Sequence, residues 1–169
     1  MNHLSSDYAE VMDTPRRPER TGFLLSQLGS FAAARFAELV KPAGLTPATA
    51  GALRILARNP GLSQRALADR LGAVPSRVVV LVDALENAGL VSRTRDPDDR
   101  RHHRLDLTDA GRAALQGLRA AAEQQNADIL GPLDPAEREA FAALISRLAA
   151  AHGIDPDVHR GFGDHPHAR

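Results

Sequence analysis

From Thr21 to Val40 apolar side chains return every three or four residues, at Leu24 or Leu25, Leu28, Phe31, Ala32, Phe36 and Leu39. That period predicts a helix with one apolar face, stopped by Pro42 and Gly44. A second helix is predicted from Thr46, with Thr46 as cap and Pro47 in the first turn, where its missing N–H costs nothing. It carries Leu53, Ile55 and Leu56 as far as Asn59, before Pro60-Gly61. Ser63 then caps a third helix, with Leu62 placed to pack on Leu67 across its first turn. Gly72 allows a sharp turn and Pro75 opens a fourth helix, about Val74 to Ala88. Two short helices joined by a tight glycine turn predict a helix-turn-helix.

The fourth helix contains Val78-Val79-Val80-Leu81-Val82, a run that local propensity assigns to a strand. Helical spacing overrides it, because Val78, Leu81, Val82 and Leu85 form one stripe while Asp83, Glu86 and Asn87 fall opposite with Ser76. Val79 and Val80 are left on the outer face. Two explanations stay open for them: contact with thymine methyl groups, or packing under a hairpin or neighbouring helix.

After Gly89 the period changes. Leu90 to Arg95 and His103 to Leu107 read as strands around Asp96-Pro97-Asp98-Asp99, which is turn chemistry. The result is a hairpin bearing Arg93, Arg95, Arg100, Arg101 and Arg104. Thr108 caps a long fifth helix in which Leu115, Leu118, Ala122, Gln125 and Ile129 make a stripe suited to a partner seam. Asp134-Pro135-Ala136-Glu137 opens a sixth helix carrying Phe141, Leu144, Ile145 and Leu148. Residues 1–20 and 153–169 lack a sustained period and are expected to be a flexible arm and tail. Arg16, Arg17 and Arg20 in the arm read as a solvated tail or as phosphate contacts. The fold class expected is mainly α with a small β wing: a winged helix-turn-helix over about 46–108, plus helical dimerisation segments over about 21–42 and 109–152.

Composition changes this picture in three places. All but Lys41 of the 21 basic residues are arginine, which a GC-rich genome also produces. The formal net charge is +0, so any affinity for nucleic acid must come from the distribution of charge. Arg54 to Arg112 holds 11 arginines against 8 acids, whereas Ala113 to Asp157 holds 3 against 7. Absence of cysteine excludes disulfides, thiolate metal sites and thiol switches. No apolar run reaches membrane-spanning length and the N-terminus lacks the apolar block of a signal peptide, so a cytoplasmic, soluble chain is expected.

Three segments, GLSQRALADRLG (61–72), PSRVVVLVDALENAGLV (75–91) and DPDDRRHHRLDLTDAG (96–111), together resemble the MarR family of bacterial regulators. The resemblance covers about Leu24 to Ala151, and the Asp99-Arg100-Arg101 wing is its most specific part. It implies a homodimeric repressor in which the first, fifth and sixth helices pair the subunits. Two winged lobes then read a near-palindromic operator in double-stranded DNA. On the matching positions, Arg101 enters the minor groove, where narrowing strengthens the negative potential, with Asp99 bracing the hairpin and Arg95 and Arg100 beside it. The alternative is that Arg101 pairs with Asp98 or Asp99 in solvent. Ser76, Arg77 and Val80 face the major groove, Arg77 being able to take guanine O6 and N7. Gln64 and Arg65 position phosphate with the helix amides. Many members carry Thr and Arg where Val79 and Val80 stand, so the operator cannot be borrowed from relatives.

Family members commonly sense a small anionic or phenolic effector in a cleft between the dimer helices and the DNA lobe. Phe31, Arg35, Leu53 and Leu56 are the candidates here, against the plainer reading that they are core residues and a surface ion pair. Other readings are a metal-responsive regulator of the same fold or a winged-helix protein-interaction module. His102 and His103 are adjacent on a strand, point to opposite faces and cannot share an ion, and His159, His165 and His167 lie in the tail. No phosphate loop, nucleophile elbow or paired His ligands on a helix is present, so no catalytic residue, metal site or cofactor is expected.

Overall fold

Each polar residue predicted to start a helix makes the hydrogen bonds a cap requires. In the computed structural model, which describes residues 20–95 and 103–154, the elements are helices α1 (Thr21–Val40), α2 (Pro47–Arg58), α3 (Gln64–Leu71), α4 (Pro75–Asn87), α5 (Asp109–Leu130) and α6 (Pro135–Ala151). The strands are β1 (Leu62–Ser63), β2 (Val91–Arg95) and β3 (His103–Leu107). Thr46 Oγ1 accepts from the Thr49 amide at 3.2 Å while Thr49 Oγ1 accepts from the Thr46 amide at 2.8 Å, closing both free donors at the start of α2. Ser63 Oγ accepts from the Ala66 amide at 3.2 Å. Asp134 and Glu137 exchange a reciprocal pair of 2.9 Å bonds at the start of α6. Such caps contribute about 1 kcal/mol each.

The chain forms two units, residues 1–32 and 33–169. In the first, the described residues are the N-terminal part of α1, where Phe23, Leu24, Leu25, Leu28 and Phe31 are exposed. In the second, α2, α3 and α4 close around one core with the sheet along its edge. Leu53, Leu56, Leu67, Leu71, Val78, Val82, Leu85 and Leu105 are fully enclosed there. The predicted α4 stripe is therefore the buried one, and Gly72, at φ 61°, makes the turn that sets α3 against α4.

Two expectations need correction. The sheet has three strands in the order β1-β3-β2, not two. Leu62 and Ser63 pair antiparallel with Leu105 and Arg104, while β2 and β3 run from Val91 opposite Leu107 to Arg95 opposite His103. A two-residue strand has no period to read; it exists because β3 offers a free edge beside the cap of α3. The second correction concerns α5. Leu118 is buried in the core of its own lobe and Leu115 packs against that core, so this part of the stripe is not open to a partner. α6 has no buried residue, and Phe141, Leu144 and Leu148 on it are exposed. The expectations for residues 1–19, 96–102 and 155–169, which include the arm, the hairpin turn and most of the tail, fall outside the described residues. Among the described residues, no helix is long and apolar enough to cross a membrane.

The start of α5 is fixed from two sides. Thr108 Oγ1 accepts from the Gly111 amide at 3.0 Å and donates to the Gly89 carbonyl at 2.6 Å, joining the helix start to the end of α4. Gly111 is buried, and a Cβ there would run into the Leu90 carbonyl oxygen. Gly111→Ala is expected to lower stability by about 1–3 kcal/mol through this overpacking. Thermal unfolding is the check, and an unchanged Tm would mean that α5 can slide off the turn at no cost.

Candidate nucleic-acid interface

The α3–α4 pair presents one polar surface. Gln64 is half-buried at the first position of α3, and Arg65 beside it is exposed. Ser76, Arg77 and Val80 are all on the exposed side of α4, and Val80 is 69% exposed. Val79 is 43% exposed, so among the described residues the packing alternative is not met for Val80, while Val79 is partly covered. Arg95, at the outer end of β2, is exposed opposite an exposed His103. The structure thus brings Gln64, Arg65, Ser76, Arg77, Val80 and Arg95 into the helix-turn-helix and the base of the wing. Asp99, Arg100 and Arg101 lie outside the described residues.

Arg93 has a different place from the rest of the hairpin arginines. Paired across β3 with Leu105, it points to the face of the sheet that covers α4. Its guanidinium hydrogen-bonds the Asp83 carboxylate, and its Nε lies 3.4 Å from Glu86 Oε2, within ion-pairing distance though not aligned as a hydrogen bond. Asp83 and Glu86 are the acids of α4. One arginine of β2 therefore offsets part of the charge of the two acids and ties α4 to the sheet. The sequence placed Asp83 and Glu86 opposite the buried stripe but carried no sign of what they would meet.

Of the four candidate effector residues, Leu53 and Leu56 are core, and Phe31 is exposed. Arg35 donates through Nε to Asp128 at 2.6 Å and through Nη1 to Glu38 at 3.2 Å, joining α1 to α5. The Gln124 amide, donating at 2.8 Å, and then Arg35 hold the Asp128 carboxyl below its ordinary range. A cleft of about 600 Å³ lies instead between α2 and α5, lined by Arg54, Ala57 and Arg58 on one side and Leu115, Gln116, Leu118, Arg119 and Ala122 on the other. Among the described residues, three guanidiniums and no acid border it. Arg54 also lies over the Phe36 ring, 5.7 Å from its centre. Sequence periodicity gave no sign of it, since Arg54, Arg58 and Arg119 read only as the polar faces of two helices. Among the described residues, no group of three or more His, Cys, Asp or Glu is placed to hold a metal ion.

Two helices joined by a glycine turn and followed by an antiparallel strand pair, with the second helix tied to β2 through Arg93, make a winged helix of the DNA-binding type. The family model that matches is that of the MarR family, over residues 43–102. A Thauera aromatica protein named as a transcriptional regulator for the hcr operon is 38% identical over 146 residues, 85% of this chain and 87% of that protein. The chain belongs to the MarR family. The transcriptional repressor CouR, solved bound to a 23-mer DNA duplex, is 38% identical with a TM-score of 0.69, over 79% of this chain and 93% of that one. Rv2887 of Mycobacterium tuberculosis, a MarR family protein solved with salicylic acid, is 28% identical with a TM-score of 0.63, over 76% and 95%.

Proposed function

We propose that the chain is a homodimeric, sequence-specific DNA-binding repressor whose operator is near-palindromic and which a small anionic or phenolic compound releases. The observation that carries the reading is an α4 whose acids are both engaged by Arg93 while Ser76, Arg77 and Val80 remain on its exposed side. A helix of uncompensated acids is repelled by phosphate; here Arg93, together with Arg77 of α4 itself, offsets the two acids. Gln64 and Arg65 act on phosphate, Ser76, Arg77 and Val80 on base edges, and Arg95, Arg100 and Arg101 along the wing, with Asp99 bracing it. The CouR structure on DNA supports the first half of this reading, and the salicylate bound to Rv2887 supports the second.

The effector reading moves to the α2–α5 cleft, where Arg54, Arg58 and Arg119 suit a carboxylate and Leu115 and Ala122 suit a ring. A ligand there acts on lobe spacing only if it prefers one spacing over another. Selection from a randomised duplex library is the test, followed by titration of the selected duplex at rising salt. Binding is expected to fall by about 10³-fold or more between 50 and 200 mM salt, as for a protein neutralising six or more phosphates. A winged helix used for protein contacts would enrich no duplex. Salicylate at millimolar concentration is expected to weaken the complex, and Arg119→Ala to remove that response while leaving the affinity without salicylate unchanged.

A further inference from the structure

We propose that Val80 reads the 5-methyl group of a thymine in each operator half-site, which makes an apolar contact at the centre of α4 a determinant of specificity. The inference rests on the DNA-binding reading above and deepens it. Along the outside of α4, Ser76, Arg77, Val80 and Ala84 follow one another at helical spacing, and all are exposed. Val80 is among the most exposed large apolar side chains in the described residues, at 69%. Valine is a poorer helix former than alanine and gains nothing from water, so local stability does not account for it. Position does. The N-terminal part of a recognition helix is the part that meets base edges, and Val80 lies in the second turn of α4.

The chemistry of the groove then selects the partner. Major-groove base edges offer hydrogen-bond donors and acceptors, and thymine alone adds a methyl group. A branched aliphatic side chain cannot satisfy a donor or acceptor, so it gains only against the base whose edge also carries an apolar group. Ala84, one turn further along the same row, extends the apolar strip. Val79 belongs to the neighbouring row with Pro75 and Asp83, and Asp83 is held by Arg93 of the wing. That places Val79 toward the hairpin and leaves Val80 to face the bases. Ser76 and Arg77, on the N-terminal side of Val80, supply the hydrogen-bonding readout that a methyl contact lacks.

The test uses the full chain and the duplex enriched from a randomised library. Each thymine of one half-site is replaced in turn by uracil, which keeps every hydrogen-bonding group and removes only the methyl. At one position uracil is expected to weaken binding about fourfold, the equivalent of ~0.8 kcal/mol for one buried methylene-sized group. Val80→Ala is expected to bring that thymine-to-uracil ratio to near one, with circular dichroism unchanged because alanine favours the helix. Val79→Ala is expected to leave the ratio as it was. Uracil tolerated at every position, or a ratio that survives Val80→Ala, overturns the inference while leaving the DNA-binding reading in place. Failure to enrich any duplex overturns both.

Discussion

Arg93→Ala is expected to weaken binding to the selected duplex by about 10- to 100-fold, roughly 1.4–2.7 kcal/mol, although Arg93 itself faces the protein. Its side chain is 24% exposed and lies between β2 and the carboxylates of Asp83 and Glu86. Removing it leaves two negative charges on the helix that must approach phosphate, and it frees the wing to change its angle to that helix. The stability cost is smaller, because both partner carboxylates are substantially exposed and such pairs contribute only about 0–1 kcal/mol. A fall in Tm of about 2–4 °C fits that range for a chain of this size. Fluorescence anisotropy with a labelled duplex reads the affinity. Charge and geometry are separable: Asp83→Asn with Glu86→Gln added to Arg93→Ala restores most of the affinity if repulsion dominates, and little if wing angle dominates. Affinity equal to that of the parent protein would remove Arg93 from the interface altogether.

The contrast between Arg93 and the caps shows what the sequence could and could not disclose. Thr46, Ser63, Thr108 and Asp134 were legible because a cap bonds to an amide within the next turn, so its partner is fixed by spacing alone. The stripe Val78, Leu81, Val82 and Leu85 was legible for the same reason, since helical geometry decides which side chains share a face. What covers a face is a different question. Leu118 lies on the stripe expected to meet a partner and instead meets its own lobe, whereas the stripe on α6 has no buried residue. Arg93 shared a hairpin with Arg95 and Arg104 and looked equivalent to them. Its role depends on a pairing register and on a helix that lies across the sheet, neither of which has a local signature. The same limit hid the α2–α5 cleft, because Arg54 and Arg119 are far apart along the chain and converge only through packing.

Leu144→Glu is expected to convert the proposed dimer into a monomer and to reduce affinity for the selected duplex by at least about 100-fold, as the second half-site no longer binds at high effective concentration. Phe141, Leu144 and Leu148 recur at three- and four-residue steps on α6, and Leu144 is 50% exposed. In the other unit, Leu24, Leu28 and Phe31 recur in the same way on α1. Burying a leucine contributes about 1.5–3 kcal/mol, and a two-fold seam counts each side chain twice. A carboxylate at the seam reverses that gain and adds the cost of desolvating a charge. Because α6 has no buried residue, the variant keeps its DNA lobe intact, and circular dichroism and Tm separate lost association from lost folding. Sedimentation equilibrium at micromolar concentration gives the mass. A Leu144→Glu protein that still sediments as a dimer would show that α6 is not part of the seam. Binding of one half-site by the monomer, with a salt dependence about half as steep, would show that each lobe reads DNA by itself and that pairing contributes the affinity.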